Sequence, residues 1–330
     1  MSRIGFYVHH HGSGHAMRAS ALGAALARRG HEPVTLGSRA GADVALPLDP
    51  PGRPGADPTA GGALHWAPTG SGGLARRMAA ISAFLATGPA AFHVDVSVEV
   101  ALLARLHGIP LTVQAMPGDR RDRPHVLGHS IADALIAAWP DWVPLPAHLE
   151  PVADRVHAVG AVTRFAGRRP DSTGHGFTGA DRMRVTVLGG AGGEELPDGY
   201  FDAVAAACPG AEFRILDRAH GWVEDPWPDL CAADVVVCAA GQNSVADVAA
   251  AGRRAIVLPL PRPYGEQDAT ARVLSDAGLA LVPMMAGAEP PEPDCWPGLL
   301  DRAPAADWSA WGTDGAADRA ADVIGEVARG

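Results

Sequence analysis

Short apolar runs alternate with stretches whose apolar residues recur every three or four positions, along nearly the whole chain. "RIGFYVH", residues 3–9, is an apolar run that breaks into a glycine loop, and "AMRASALGAALARRG" behind it predicts a helix closed by Gly30. "EPVTLGS" predicts the next strand. Then come the strand "FHVDVSV", the helix "EVALLARLHG" and the strand "IPLTVQAM". After a charged, turn-rich stretch the pattern restarts with "MRVTVLGGAGG", the helix "YFDAVAAACPG" and the strand "EFRILD". "ADVVVCAAG", "RRAIVLPLP" and a short "LALVP" predict further strands, with helices "QNSVADVAAAG" and "EQDATARVLSDAG" between them. Strands alternating with helices of this length indicate doubly wound parallel sheets.

Two such units divide the chain. Residues 1–165 form the first expected domain, 166–182 ("AGRRPDSTGHGFTGADR") the linker, and 183–312 the second domain. The helix within 313–330 is expected to pack back across the N-terminal domain. Residues 46–73, rich in Pro and Gly, read as a long surface connection. The helix "GLARRMAAISAFLA" carries an apolar stripe, Leu74, Met78, Ile81 and Leu85, beside Arg76 and Arg77. That stripe reads as core with a solvated arginine edge, or alternatively as a peripheral membrane contact.

Composition narrows the function. The 330 residues are 47 % hydrophobic and 19 % charged, and no apolar run approaches the ~20 residues a membrane span needs. No apolar leader precedes "VHHHGSGH", so a cytoplasmic protein is expected. Cys208, Cys231, Cys238 and Cys295 form no CxxC pair, which suits a reducing compartment. All 27 basic residues are arginine, which excludes Schiff-base and P-loop lysine chemistry. Residues 1–165 hold 14 Arg against 12 Asp and Glu, net +2, and the rest hold 13 against 25, net −12. An acidic second half without a basic stripe argues against nucleic acid as a partner.

Candidate chemistry sits in the glycine turns. "HGSGHA" ends a strand and opens a helix, where main-chain N–H groups and the helix dipole bind anions. It lacks the third glycine of a dinucleotide fingerprint, and the second strand ends in "LGSR" with no acidic residue for a ribose. His9, His10 and His11 alternate sides of a strand end and do not converge on one ion, so no metal is expected there. "LGGAGGEE" at 188–195 is a second turn of the same kind. The third, "CAAGQNSVADVAAAG", offers Gly241, Gln242, Asn243 and Ser244 to a diphosphate at a helix start. Asp247, at i+3 from Ser244, suits ribose hydroxyls, and Glu266 and Gln267 after the next strand suit a sugar.

Taken together these segments resemble the GT-B glycosyltransferases, in particular the MurG-like type that transfers N-acetylglucosamine from UDP-GlcNAc. The resemblance rests on five segments in order. His11-Gly12-Ser13-Gly14-His15 stands where the family has "GGTGGH", and "HGIPLTVQAMPGDR" stands for "LGIPVV.HEQNA.PG". Gly160–Arg164 matches "GNPVR", and Gly189, Gly190 and Gly193 fall in the "GGSQGA" turn. Gly241–Ser244, Asp247, Ala250-Ala251-Gly252, Pro259 and Glu266-Gln267 match the donor motif. Asp247 stands for the usual Glu, Glu266 for the usual Gln, and "VQAM" for "HEQN".

The resemblance implies two Rossmann-like domains facing each other across a cleft, and an inverting, metal-independent transfer from a UDP-sugar to an acceptor hydroxyl. No cofactor is implied beyond the UDP-sugar co-substrate. His15 is the implied base, since a histidine titrates near neutrality. His11, Gly12, Ser13, Gly14 and Asp119 are expected on the acceptor-side loops, Asp119 alternatively being a solvated partner of Arg120 and Arg121. Arg164, Trp222, Val223 and the glycine turns are expected at the donor. The implied place of work is the cytoplasm, at the inner face of the membrane. Two alternatives share the fold: a sugar-nucleotide epimerase or hydrolase, and a non-catalytic nucleotide-sugar-binding subunit of a partner transferase.

Overall fold

The computed structural model describes residues 1–9, 14–50, 57–170, 176–178, 181–189, 196–221 and 223–330. These form two compact units, residues 1–160 with 315–330, and residues 161–314. The first boundary thus falls between Gly160 and Ala161, ahead of the stretch read as a linker.

Unit 1 is built on β1 (Arg3–Val8), β2 (Glu32–Gly37), β3 (Val44–Ala45), β4 (Ala91–Val94), β5 (Leu111–Ala115), β6 (Ala134–Ala137) and β7 (Val156–Ala158). All pair in parallel, in the order β3-β2-β1-β4-β5-β6-β7. The helices are α1 (Gly14–Arg28), α2 (Gly72–Leu85), α3 (Val98–Leu106) and α4 (Arg123–Ile131), with the late helix α10 (Ala316–Val327) packed on α1. Covered on both faces, the central strands need no polar alternation; Ile4 to Val8 and all of β4 and β5 are buried. Gly5 is required because a Cβ there would overlap the rings of Phe84 and Phe92.

Unit 2 repeats the plan with four parallel strands in the order β11-β10-β8-β9. These are β8 (Met183–Leu188), β9 (Ala211–Leu216), β10 (Val235–Cys238) and β11 (Arg254–Val257). Helices α5 (Tyr200–Ala207), α6 (Trp227–Ala232), α7 (Gln242–Ala251), α8 (Glu266–Asp276) and α9 (Trp296–Arg302) complete it. Its core closes on Trp296, fully buried, whose indole N–H donates to the Tyr200 hydroxyl at 2.8 Å.

Two expectations change. "LALVP" adds only a single bridge, Leu281 against Ile256, and no strand. On α2, Arg77 is 1 % exposed and not on a solvated edge. It donates to Ser38 Oγ, the Pro47 carbonyl and the Tyr7 hydroxyl at 2.9, 2.7 and 3.1 Å. The apolar stripe of α2 is core as read, with Ile81 and Leu85 in the unit 1 core and Met78 packed against it, and Arg76 is exposed. Among the described residues no helix is long and apolar enough to cross a membrane.

Candidate active site

In unit 1 the site gathers at the C-terminal ends of neighbouring strands. β1 hands the chain to α1, which carries His15 and, one turn on, Arg18 on the same face. The adjacent strand β4 ends just before Asp95. His15 Nδ1 lies 2.8 Å from Asp95 Oδ2, and Arg18 Nη2 donates to Asp95 Oδ1 at 2.8 Å. Asp95 is 2 % exposed. Burial alone would push its carboxyl up, but the Arg18 charge and the His15 bond outweigh that and hold it well below the usual carboxylate range. A fixed anion at Nδ1 keeps the His15 proton on that nitrogen, so Nε2 is the atom with a lone pair to offer.

The sequence pointed to His15 and missed Asp95 and Arg18. Asp95 is the one charged residue of "FHVDVSV", and a carboxylate at the end of a buried strand was the available signal. His11, Gly12 and Ser13 lie outside the described residues. Gly14 is the first residue of α1. Asp119 is exposed and accepts from Arg121 Nε at 2.7 Å, which is the solvated-partner alternative. That bond holds its carboxyl below the usual range.

In unit 2 the candidate donor residues also stand at strand ends. Gly241 is the N-cap of α7 and contributes no side-chain cap, and the first turn of a helix presents main-chain N–H groups of the kind that bind an anion. Gln242, Asn243 and Ser244 are half-buried there. Gly189 follows β8 at the point where a Cβ would overlap Asp217, so the turn admits only glycine. Gly190, Gly193 and Trp222 lie outside the described residues, and Val223 is half-buried. Tyr264 and Gly265, just before Glu266, both have left-handed backbone, at φ 65° and 63°. For tyrosine that is a strained conformation of the kind that concentrates at ligand sites.

Three donor residues have partners other than those expected. Asp247 is 3 % exposed, accepting from Thr163 Oγ1 at 2.8 Å and Arg164 Nε at 3.1 Å. Both carboxylate oxygens are thereby engaged inside the unit, where ribose hydroxyls were expected. Burial pushes its carboxyl up to about 6, against the pull of Arg164 and Thr163. Arg164, expected to touch phosphate, is aimed by Asp247 and by a 3.3 Å bond from Nη1 to the Glu224 carbonyl. Gln267, expected to read a sugar, is 6 % exposed; its Oε1 accepts from the Ala240 and Leu260 N–H groups at 3.1 and 2.9 Å. It ties together the segments that leave β10 and β11, and so shapes the turn before α7 from behind. Glu266 is half-buried beside it.

Parallel α/β sheets with helices on both faces, repeated in two units, define the GT-B class, and known structures agree. The crystal structure of MurG from Acinetobacter baumannii superposes with a TM-score of 0.64 over 98 % of this chain and 99 % of its own, at 15 % identity. Residues 225–289 match the glycosyltransferase family 28 C-terminal domain. A UDP-N-acetylglucosamine–N-acetylmuramyl-(pentapeptide) pyrophosphoryl-undecaprenol N-acetylglucosamine transferase from Nocardioides sp. is 30 % identical over 208 residues, 56 % of this chain and 55 % of the relative. The enzyme of the same name from Halorhodospira halophila is 28 % identical over 315 residues, 81 % of this chain and 80 % of its own. The chain spans about half the length of the first curated relatives it matches. The fold is therefore that of the GT-B class, and in sequence the chain is similar to these N-acetylglucosamine transferases.

Proposed function

We propose that the chain is an inverting, metal-independent glycosyltransferase that moves a sugar, GlcNAc or a related hexose, from a UDP-sugar to an acceptor hydroxyl. The observation that carries this reading is the His15–Asp95 pair. Inversion is an in-line displacement at the anomeric carbon, and it needs a base on the acceptor hydroxyl. His15 Nε2 takes that proton, the acceptor oxygen bonds to the anomeric carbon, and the bond to the diphosphate oxygen breaks. Asp95 stabilises the imidazolium that forms. The departing diphosphate is met by the main-chain donors at the start of α7, which suit an anion without a bound cation. Arg164, positioned by Asp247, supplies a guanidinium on the same unit.

A pair built this way favours catalysis over a purely nucleotide-sugar-binding subunit, which needs no oriented base. The relatives named above act on a lipid-linked acceptor, and a hydroxyl on such a substrate at the cytoplasmic membrane face is the acceptor we propose. The test is to incubate purified protein with a panel of nucleotide sugars, measuring donor binding and nucleotide release with and without a lipid-linked acceptor extract. Acceptor-dependent release of UDP is expected. Release without acceptor would support the epimerase or hydrolase alternative, and no donor binding at millimolar concentration would sink the reading.

A further inference from the structure

A second cluster in unit 1 takes no part in that chemistry, and the inference from it stands whether or not the transferase reading holds. Asp122 is the N-cap of α4: its Oδ1 accepts from the His125 N–H at 3.1 Å, which fixes His125 in the first turn beside it. The same carboxylate lies between two imidazoles, with Oδ1 3.0 Å from His65 Nε2 and Oδ2 2.7 Å from His125 Nδ1. His65 arrives from a loop far away in sequence, and its backbone is anchored independently. Its N–H and that of Trp66 donate to Glu99 Oε1 at 2.7 and 2.9 Å, while Ser97 Oγ donates to Glu99 Oε2 at 2.8 Å. Two nitrogen donors and one oxygen donor therefore lie within 4.8 Å of one another on anchored backbone. The three side chains are partly exposed, at 31 % for His65, 35 % for Asp122 and 14 % for His125, so water has access.

We propose that His65 Nε2, His125 Nδ1 and Asp122 form a binding site for a zinc-class divalent cation, with water as the fourth ligand. Two imidazoles and a carboxylate are a donor set that zinc takes readily, whereas calcium and magnesium prefer oxygen throughout. Tetrahedral ligands at ~2.0–2.2 Å from an ion stand roughly 3.4 Å apart. The Asp122 oxygens therefore need only draw back slightly from each ring to admit one.

Arg120 opposes this step. Its Nη1 is 3.3 Å from His125 Nε2, which accepts from it while Nδ1–H donates to Asp122. An ion on Nδ1 moves the ring proton to Nε2, and His65 shifts its proton from Nε2 to Nδ1 in the same way. No proton leaves the protein, but Arg120 must release the ring.

The test titrates the full-length protein, stripped with chelator, with Co2+, following the visible absorption of the bound ion and then its displacement by Zn2+. One Co2+ per chain is expected. His65→Gln and Asp122→Asn should each weaken binding at least tenfold, asparagine keeping the helix cap so that the fold survives; far-UV circular dichroism checks this. Arg120→Gln should tighten binding several-fold. The proposal is overturned if Co2+ does not bind at millimolar concentration, or if both variants bind like the parent. It is overturned equally if His15→Ala abolishes binding that His65→Gln retains, which would put the ion at the histidines of residues 9–15.

Discussion

At the scale of single residues, the proposed chemistry depends on one hydrogen bond, from His15 Nδ1 to Asp95. His15→Ala should lower kcat by ~10²–10⁴, the range a general base supplies. Asp95→Asn leaves the ring in place but no longer fixes its tautomer, so kcat should fall ~100-fold or more while donor KM changes little. Steady-state kinetics on both variants separate base from scaffold: a full-activity Asp95→Asn enzyme would remove the pair from the mechanism. His15 was legible in sequence because it stands alone at a helix start after a strand. Asp95 was not, because nothing local says that β4 lies beside β1 while β2 and β3 lie on the other side. Asp247 shows the same limit in reverse. Its helical spacing suggested a ligand, and only the fold reveals that Thr163 and Arg164, over eighty residues earlier, already occupy it.

At the scale of elements, strands and helices were readable wherever burial is continuous, since a parallel strand covered on both faces is simply an apolar run. The sequence pattern does not predict α4, α6, α9, β3, β6 or β7. β6 is only four residues long, and the proline of α4 and α6 sits near the helix start, where it is tolerated although it reads as a breaker. Gln267 is the element-scale counterpart of Asp95. Removing its amide strands the buried N–H groups of Ala240 and Leu260, each at a cost of about 1–3 kcal/mol. Gln267→Ala should therefore lose about 2–6 kcal/mol in urea unfolding, and it should also weaken UDP-sugar binding by loosening the turn before α7. Docking of α10 on α1 gives a contrast. Ile324 is fully buried there, whereas Arg29 meets Asp322 on the exposed rim. Ile324→Ala should cost about 2–5 kcal/mol. Asp322→Ala should cost under about 1 kcal/mol, because water already screens that pair.

At the scale of the whole chain, the two units should respond to acid in opposite senses. His93 in unit 1 is fully buried between β strands, bonded to Thr112, and burial lowers its pKa to about 4. Burial likewise lowers His129 to about 3. A histidine depressed below its unfolded value of 6.5 leaves stability intact above pH 6.5. That stability is lost as pH falls from there toward the folded pKa, because the unfolded chain takes up protons that the folded one refuses. For His93 the difference amounts to about 3 kcal/mol by pH 4. Unit 2 carries the reverse. Asp247 is raised to about 6, so the folded unit binds a proton before the unfolded carboxyl does, and stability rises as pH falls from 6 toward 3.8. His220 is raised by its bonds to Asp217 and Asp202, and its stabilisation is present in full below pH 6.5. The depressed carboxylates of both units titrate below this window, so between pH 7.5 and 5 the histidines and Asp247 decide the outcome. Hydrogen exchange by mass spectrometry, corrected for intrinsic rates, should show β1, β4 and β5 opening more readily at pH 5 than at 7.5. Over the same interval β8 and β10 should hold or gain protection. Equal loosening of both units, or unit 2 opening first, would contradict the assignment of buried neutral histidines to one unit and a buried carboxyl to the other.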